Sequence, residues 1–249
     1  MITKLIILTL IALVSAVIDT IAGGGGLITV PALLIFGMPP LVTLATNKFQ
    51  ATFGSGTATW HFAHKGTFCW REIIWGMVWC FVGAVIGTLV IQRVHPDFIR
   101  HLIPVLLLGV WLCMFFSPNF GFSQGKKHLK ESMFFFIFGL LLGFYDGILG
   151  PGTGSFWVFS IIALLGWNLK KATMHTKLYN FVSNLASLIV FMFSGLVNYE
   201  IGLCMAVGQI VGGYVGSHLV ISKGSRLIRP LLLTMTGLMI LVLCYKQWA

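Results

Sequence analysis

Apolar residues along this chain come in long unbroken runs, and the few polar positions that interrupt them are concentrated at two glycine clusters, each preceded by an aspartate. Leu5 to Ala22, Ile73 to Ile91, Ile103 to Phe116 with its flanks, Phe134 to Leu149 and Leu231 to Tyr245 predict helices on the scale of a bilayer span, for which about 20 apolar residues are needed. Two runs are different. Leu27 to Phe36 has 10 residues and Ser155 to Leu165 has 11, and each directly follows a glycine cluster. At ~1.5 Å per residue, Leu5 to Ala22 extends ~27 Å as a helix but Leu27 to Phe36 only ~15 Å, about half the hydrocarbon core. Joined straight, the two overrun one bilayer; taken as separate spans, the second falls short. A hairpin that dips in and returns, with its glycine turn buried in protein, satisfies both lengths and the exclusion of open backbone from lipid. Whether such a hairpin fully spans or is re-entrant stays open at this level.

The chain also matches itself. Asp19-Thr-Ile-Ala-Gly-Gly-Gly-Gly26 pairs with Asp146-Gly-Ile-Leu-Gly-Pro-Gly-Thr-Gly154, Ala45-Thr-Asn-Lys48 with Met174-His-Thr-Lys177, Gly83 to Thr88 with Gly212 to Ser217, and Arg100 to Pro104 with Arg226 to Pro230, at offsets of 126 to 129. Duplication of this kind is common in transporters. The expectation is an all-α polytopic membrane protein of two inverted repeats, residues 1–117 and 132–249, joined by a polar linker at 118–131. Each repeat holds a glycine-turn helical hairpin plus three transmembrane helices. Loop charge supports the returning hairpin. With it, Lys4, Arg93, Arg100 and Lys246 fall on one side and ten basic residues on the other, whereas a single broken crossing divides them 7 against 7. The positive-inside rule favours the first arrangement, with both termini outside.

Composition narrows the class. The chain is 57% hydrophobic and 9% charged, against roughly 25% charged in soluble domains, so water is not its solvent. Its net charge of +10 is scattered over short connectors and forms no stripe with aromatic platforms, which argues against nucleic acid. Cys69, Cys80, Cys113, Cys204 and Cys244 have no paired spacing and predict neither a disulfide nor a metal site. The N-terminal apolar run resembles a signal peptide, but Asp19 and the glycines stand where a cleavage site would be, so it is taken as part of the mature fold. No His-Glu-x-x-His zinc pair and no two acids close in sequence suggest an enzyme.

Four charged residues lie deep in apolar sequence: Asp19 and Asp146, Lys48 and Lys177. A charge at bilayer depth costs about 2.5 kcal/mol or more, so such residues usually face a cavity. The short helices begin right after glycine, which leaves their first-turn N–H groups unpaired and places roughly half a positive charge at each N-terminus. Two such ends facing each other would cradle an anion. The candidate site therefore comprises Gly23, Gly24, Gly25, Gly26 and Thr29 from one hairpin and Gly152, Thr153, Gly154 and Ser155 from the other. Asn47, Lys48 and Gln50, with His175, Thr176, Lys177 and Asn180, would add charge and orienting hydrogen bonds. The expected result is a net-positive pocket for a small oxyanion. Asp19 and Asp146 are candidates for proton coupling, since burial disfavours the carboxylate and a neighbouring lysine favours it. The competing structural readings are close helix packing for the glycines, snorkelling for the lysines, and a helix cap or static ion pair for the aspartates.

With these motifs assembled, the chain resembles the TauE/SafE permeases, or sulfite exporter family, along its whole length, and within it the YfcA branch. The resemblance is carried by Ala22-Gly-Gly-Gly-Gly-Leu-Ile-Thr-Val-Pro31, Ala45-Thr-Asn-Lys-Phe-Gln50, Gly150-Pro-Gly-Thr-Gly-Ser155, Lys171-Ala-Thr-Met-His-Thr-Lys177 and Val207-Gly-Gln-Ile-Val-Gly-Gly213. It implies a bacterial inner-membrane transporter of sulfite, sulfonates or related organosulfur anions, usually proton-coupled. No cofactor is implied; the partners are the anion, protons and the lipid bilayer, with a homo-oligomer left open. Pro151 and Thr153 depart from the glycine-rich pattern, and nothing in the second half matches Pro31. An uncoupled anion channel and a membrane-embedded structural subunit are the alternatives.

Overall fold

A computed structural model describes residues 2–65, 68, 70–93 and 125–248. The predicted span around Ile103 to Phe116, the first half of the linker, the Arg100-to-Pro104 motif, and Cys69 and Cys113 lie outside the described residues. The rest is helical: α1 (Ile2–Ala22), α2 (Gly26–Ile35), α3 (Pro40–His64), α4 (Trp70–Ile91), α5 (Glu131–Ile148), α6 (Thr153–Ser160, widening to a π-helix over Ile161–Leu165), α7 (Leu169–Phe193), α8 (Tyr199–Lys223) and α9 (Ser225–Trp248). An apolar segment in lipid must satisfy its backbone within itself, which a helix does. The ends are set locally. Asn168 and Asn198 cap α7 and α8, their side chains accepting from Lys171 N at 2.8 Å and Ile201 N at 3.1 Å, and Pro40 opens α3 where no backbone donor is needed.

Among the described residues, α1, α5, α7, α8 and Ile73–Ile91 of α4 are long and apolar enough to cross a membrane. The chain is a multi-pass membrane protein. α3 is 25 residues long but buries Thr43, Thr46, Asn47, Lys48, Gln50, Ser55 and Thr59, so it faces protein rather than lipid.

Both short arms double back. Lys4 Nζ donates to Phe36 O at 2.9 Å, and Leu8 and Leu33 share one apolar cluster, so the end of α2 returns beside the start of α1. In the second half Gly125 N donates to Gly166 O at 2.8 Å and His128 N to Leu164 O at 2.9 Å, bringing the end of the α6 arm beside the entry to α5. The arms are Gly26–Ile35 and Thr153–Leu165, ~15 and ~20 Å long, short of the ~30 Å core. The structure starts six predicted segments earlier: α1 at Ile2, α2 at Gly26, α4 at Trp70, α5 at Glu131, the α6 arm at Thr153 and α9 at Ser225.

Helix directions follow from the contacts. α4 and α5 pack in parallel, with Gly76 on Phe135, Cys80 on Gly143 and Ala84 on Gly147; α1 and α8 do the same through Thr9 and Gly208, Leu13 and Gly212, Thr20 and Gly216. α3 runs parallel to α8, from Thr46 beside Asn198 to His61 beside Ser217. α4 and α7 run against α3: Ile91 and Phe191 near their ends cluster with Ala45 near its start, and Ile73 and Leu169 near their starts cluster with Phe62 near its end. Hence α1, α3 and α8 run one way and α4, α5 and α7 the other, and the two hairpins enter from opposite faces. One face carries Lys4 and Arg93. The other, the basic face, carries Lys65, Lys126, Lys127, Lys130, Lys170, Lys171, Lys223, Arg226 and Arg229.

Each hairpin's long arm thus packs against a helix from the other half, α1 on α8 and α5 on α4, and glycine permits the close approach. A side chain at Gly87 would meet Phe144 backbone, and one at Gly212 would meet Leu13 backbone. Gly87→Val and Gly212→Val are each expected to lower stability by about 1–3 kcal/mol. Thermal unfolding in detergent checks this, and unchanged melting would remove glycine from the packing account.

Candidate substrate site between the hairpin tips

The tips of the two hairpins touch backbone to backbone near the middle of the fold. Gly23 has φ 75°, and a Cβ built there would lie 2.6 Å from Gly154 Cα, so neither position has room for a side chain. Gly150 and Gly152 turn the second tip with φ 87° and 83°. Ser155 Oγ donates to Ala22 O at 3.0 Å and latches one tip to the other.

The four charged residues pair across the halves. Lys48 Nζ on α3 lies 2.8 Å from Asp146 Oδ1 at the end of α5, and Lys177 Nζ on α7 lies 2.8 Å from Asp19 Oδ2 at the end of α1. The pairs are not equivalent. Asp146 is 5% exposed and also accepts from Thr153 Oγ1 at 3.2 Å and from Ser183 Oγ. Asp19 is 27% exposed; its Oδ1 accepts from Gly25 N at 2.9 Å, while Lys177 also donates to Asp19 O at 2.6 Å. Asp19 is thus both a lysine partner and the acceptor for Gly25, the N-cap of α2, where its charge meets the positive end of the helix dipole.

A small cavity of about 40 Å³ lies between the tips. Gly23, Gly25 and Gly26 line it from one hairpin and Gly150, Gly152, Thr153 and Gly154 from the other, with Asp19, Asn47, Lys48, Gln50, Asp146 and Asn180 around them. Gly26 N and Gly154 N, in the first turns of α2 and α6, have no acceptor among the described residues. Among the described residues, Ala51 is the one lining residue that is neither polar nor glycine.

Other predicted residues sit elsewhere. Thr29 Oγ1 donates to Asn47 Oδ1 at 2.6 Å and to Gly25 O at 3.1 Å, so its hydroxyl orients Asn47. Lys177 and Ser155 act from behind the wall, on Asp19 and Ala22. Gly24 is in the turn but does not line the cavity. Thr176 is fully buried beside Lys177 on α7. His175 is fully buried and does not reach the cavity: its ring packs edge-on against Phe68 and Trp167, and its Nδ1 lies 2.8 Å from Lys171 O. Ala51, Gly150, Asn184 and Gln209 line the cavity and Ser183 holds Asp146, none of them foreseen. Asn184 and Ser183 were within reach of the sequence, because they continue the helical face of Lys177 and Asn180. Gln209 was not, since α8 is brought in only by tertiary packing.

One expectation is corrected. The pocket is not net-positive: each lysine faces an aspartate, and with all four ionised the charges cancel. What remains positive is the helix dipoles and the free amides of Gly26 and Gly154.

The comparisons with known proteins agree in class. The family described as Sulfite exporter TauE/SafE matches residues 8–243. A "Probable membrane transporter protein" of Haemophilus influenzae is 41% identical over 243 residues, covering 98% of this chain and 95% of its own. The "Probable membrane transporter protein YfcA" of Escherichia coli K12 is 39% identical over 241 residues, covering 97% and 90%. An Arabidopsis thaliana "Sulfite exporter TauE/SafE family protein 1" is 30% identical over 115 residues, 44% of this chain and 24% of that one. No solved structure matches significantly. A family match along nearly the whole chain, on a fold of membrane-crossing helices around a buried polar cavity, makes this protein a membrane transporter of the sulfite exporter TauE/SafE family.

Proposed function

We propose that this transporter carries small sulfur oxyanions, sulfite and sulfonates foremost, across the bacterial inner membrane in exchange with or alongside protons. The anion binds between the tips of two inverted repeats, 1–117 and 132–249. The basic face is cytoplasmic and both termini are periplasmic, as the positive-inside rule requires. The relatives in Arabidopsis, named as sulfite exporter family proteins, support the substrate class.

The observation that carries the reading is the pair of crossed ion pairs at one cavity. A cavity whose four charges cancel would become net negative when an anion enters, at a cost of several kcal/mol at bilayer depth. A proton on an aspartate removes that cost. It neutralises the carboxylate, so the entering anion takes over the negative charge that balances the lysines, with the amides of Gly26 and Gly154 completing the cradle. Both aspartates line the cavity, but Asp19 suits this exchange better, because it is part-exposed while Asp146 is enclosed by Lys48, Thr153 and Ser183.

The test is melting of the detergent-purified protein against sulfite, sulfate, thiosulfate, acetate and sulfonates. A cognate anion at one hundred times its dissociation constant is expected to stabilise the fold by about 2.7 kcal/mol, more at acidic pH, and not in Lys177→Ala. Stabilisation by no anion, with Lys177→Ala behaving as wild type, would sink the reading. In proteoliposomes, flux that follows the pH gradient is expected; flux indifferent to it would make the protein an uncoupled channel.

A further inference from the structure

One face of α7 is polar along its length and buried throughout. Thr173, Thr176, Lys177, Asn180, Asn184 and Ser187 are all at most 9% exposed, and at 3.6 residues per turn they fall, with Ser183, within about 120° of arc. Asn180 and Asn184 open into the cavity. Thr173 and Thr176 continue the face toward the basic side, and Ser187 continues it toward the other.

The hydroxyls of Thr173, Thr176 and Ser187 and the Oδ1 of Asn180 have no hydrogen-bond partner among the described residues. Buried polar atoms are almost always paired, and a serine or threonine in a membrane helix has a partner at hand in its own helix, the carbonyl four residues back. Thr52, Ser55, Thr88 and Ser160 use it here, with bonds of 2.7, 2.6, 2.8 and 2.7 Å. The three α7 hydroxyls do not. Nor is the feature a by-product of helix architecture. With Lys48 aligned on Lys177, α3 carries Leu44, Ala51 and Ala58 where α7 carries Thr173, Asn180 and Ser187.

We propose that this face of α7 is one wall of the translocation pathway, and that the anion leaves the tip cavity along Thr176 and Thr173 on the basic side and along Ser187 on the other. The hydroxyls and the amide serve as relay partners for a hydrated anion when the helices facing them part. Between Thr173 and Ser187 lie 14 steps of helix, ~21 Å, which is most of the hydrocarbon core. The assignment rests on the transport reading above but is independent of which anion is carried.

The experiment is cysteine accessibility in the full-length chain with its native cysteines replaced by alanine, in oriented membrane vesicles, using an anionic methanethiosulfonate. Thr173→Cys and Thr176→Cys are expected to label from the basic face and Ser187→Cys from the opposite face, while Leu178→Cys and Val182→Cys, buried on the far flank, stay inert. In the native-cysteine chain, Thr176→Val is expected to cut anion flux about tenfold or more while melting holds or rises, since it deletes an unpaired buried hydroxyl. Stripe positions as inert as Leu178→Cys and Val182→Cys, or Thr176→Val flux equal to wild type, would overturn the pathway. A labelled stripe in a protein that neither binds nor moves any anion would instead sink the substrate reading and leave the pathway standing.

Discussion

Lys48→Met abolishes anion flux and destabilises the fold by about 3–5 kcal/mol, because it strands Asp146 as a buried carboxylate without its cation. Asp146 keeps Thr153 and Ser183 as donors, but neither carries charge, and its 5% exposure admits little water. Lys177→Met is also expected to lose transport, at a smaller cost in stability: Asp19 retains the Gly25 amide and is 27% exposed. The double variant Lys48→Met/Asp146→Leu separates the two effects. It removes both charges, so melting should recover most of the loss while flux does not. Chemical and thermal unfolding in detergent, paired with flux in proteoliposomes, reads both. A Lys48→Met protein as stable and active as wild type would refute the buried-pair account.

Gly23→Ala is the second large effect, and it acts through backbone rather than charge. The residue has φ 75°, which costs an L-residue roughly 1–2 kcal/mol, and its Cβ would stand 2.6 Å from the Gly154 Cα and carbonyl carbon, in main chain that cannot rotate away. Parting the tips also breaks the Ser155 to Ala22 latch at 3.0 Å and widens the cradle. The expected outcome is a melting temperature several degrees lower and flux reduced by about a hundredfold, in line with what an ångström of misplacement costs a preorganised site. Gly26→Ala is the control. Its Cβ would meet Pro151 and Asn47 at 3.6 to 3.7 Å, an ordinary contact, so the fold should tolerate it. Equal effects at the two positions would mean that a generic loss of glycine flexibility, and not the meeting of the tips, is responsible.

What could be read from sequence was whatever the membrane makes expensive. Spans, half-length arms and the turn glycines follow from the exclusion of unpaired backbone from lipid, and Asp19, Lys48, Asp146 and Lys177 stand out because a charge at bilayer depth must have a reason. Loop charge indicated the hairpin's return before any contact was known. Tertiary structure decided which groups meet. Lys48 and Asp146 are 98 residues apart and Lys177 and Asp19 are 158 apart, so no local pattern could show that the pairs cross between halves and cancel the pocket's charge. The same holds for His175, placed by sequence beside the lysine and by packing between Phe68 and Trp167, and for Gln209, which reaches the cavity only because α8 lies against α3. The polar face of α7 lies between these cases. Its spacing is written in the chain, but that Thr173, Thr176 and Ser187 are buried and, among the described residues, unpaired could be learned only once neighbouring helices had closed over them. Solvation of single residues is a local quantity and can be read along the sequence; pairing is a property of distance in space, and only the fold sets it.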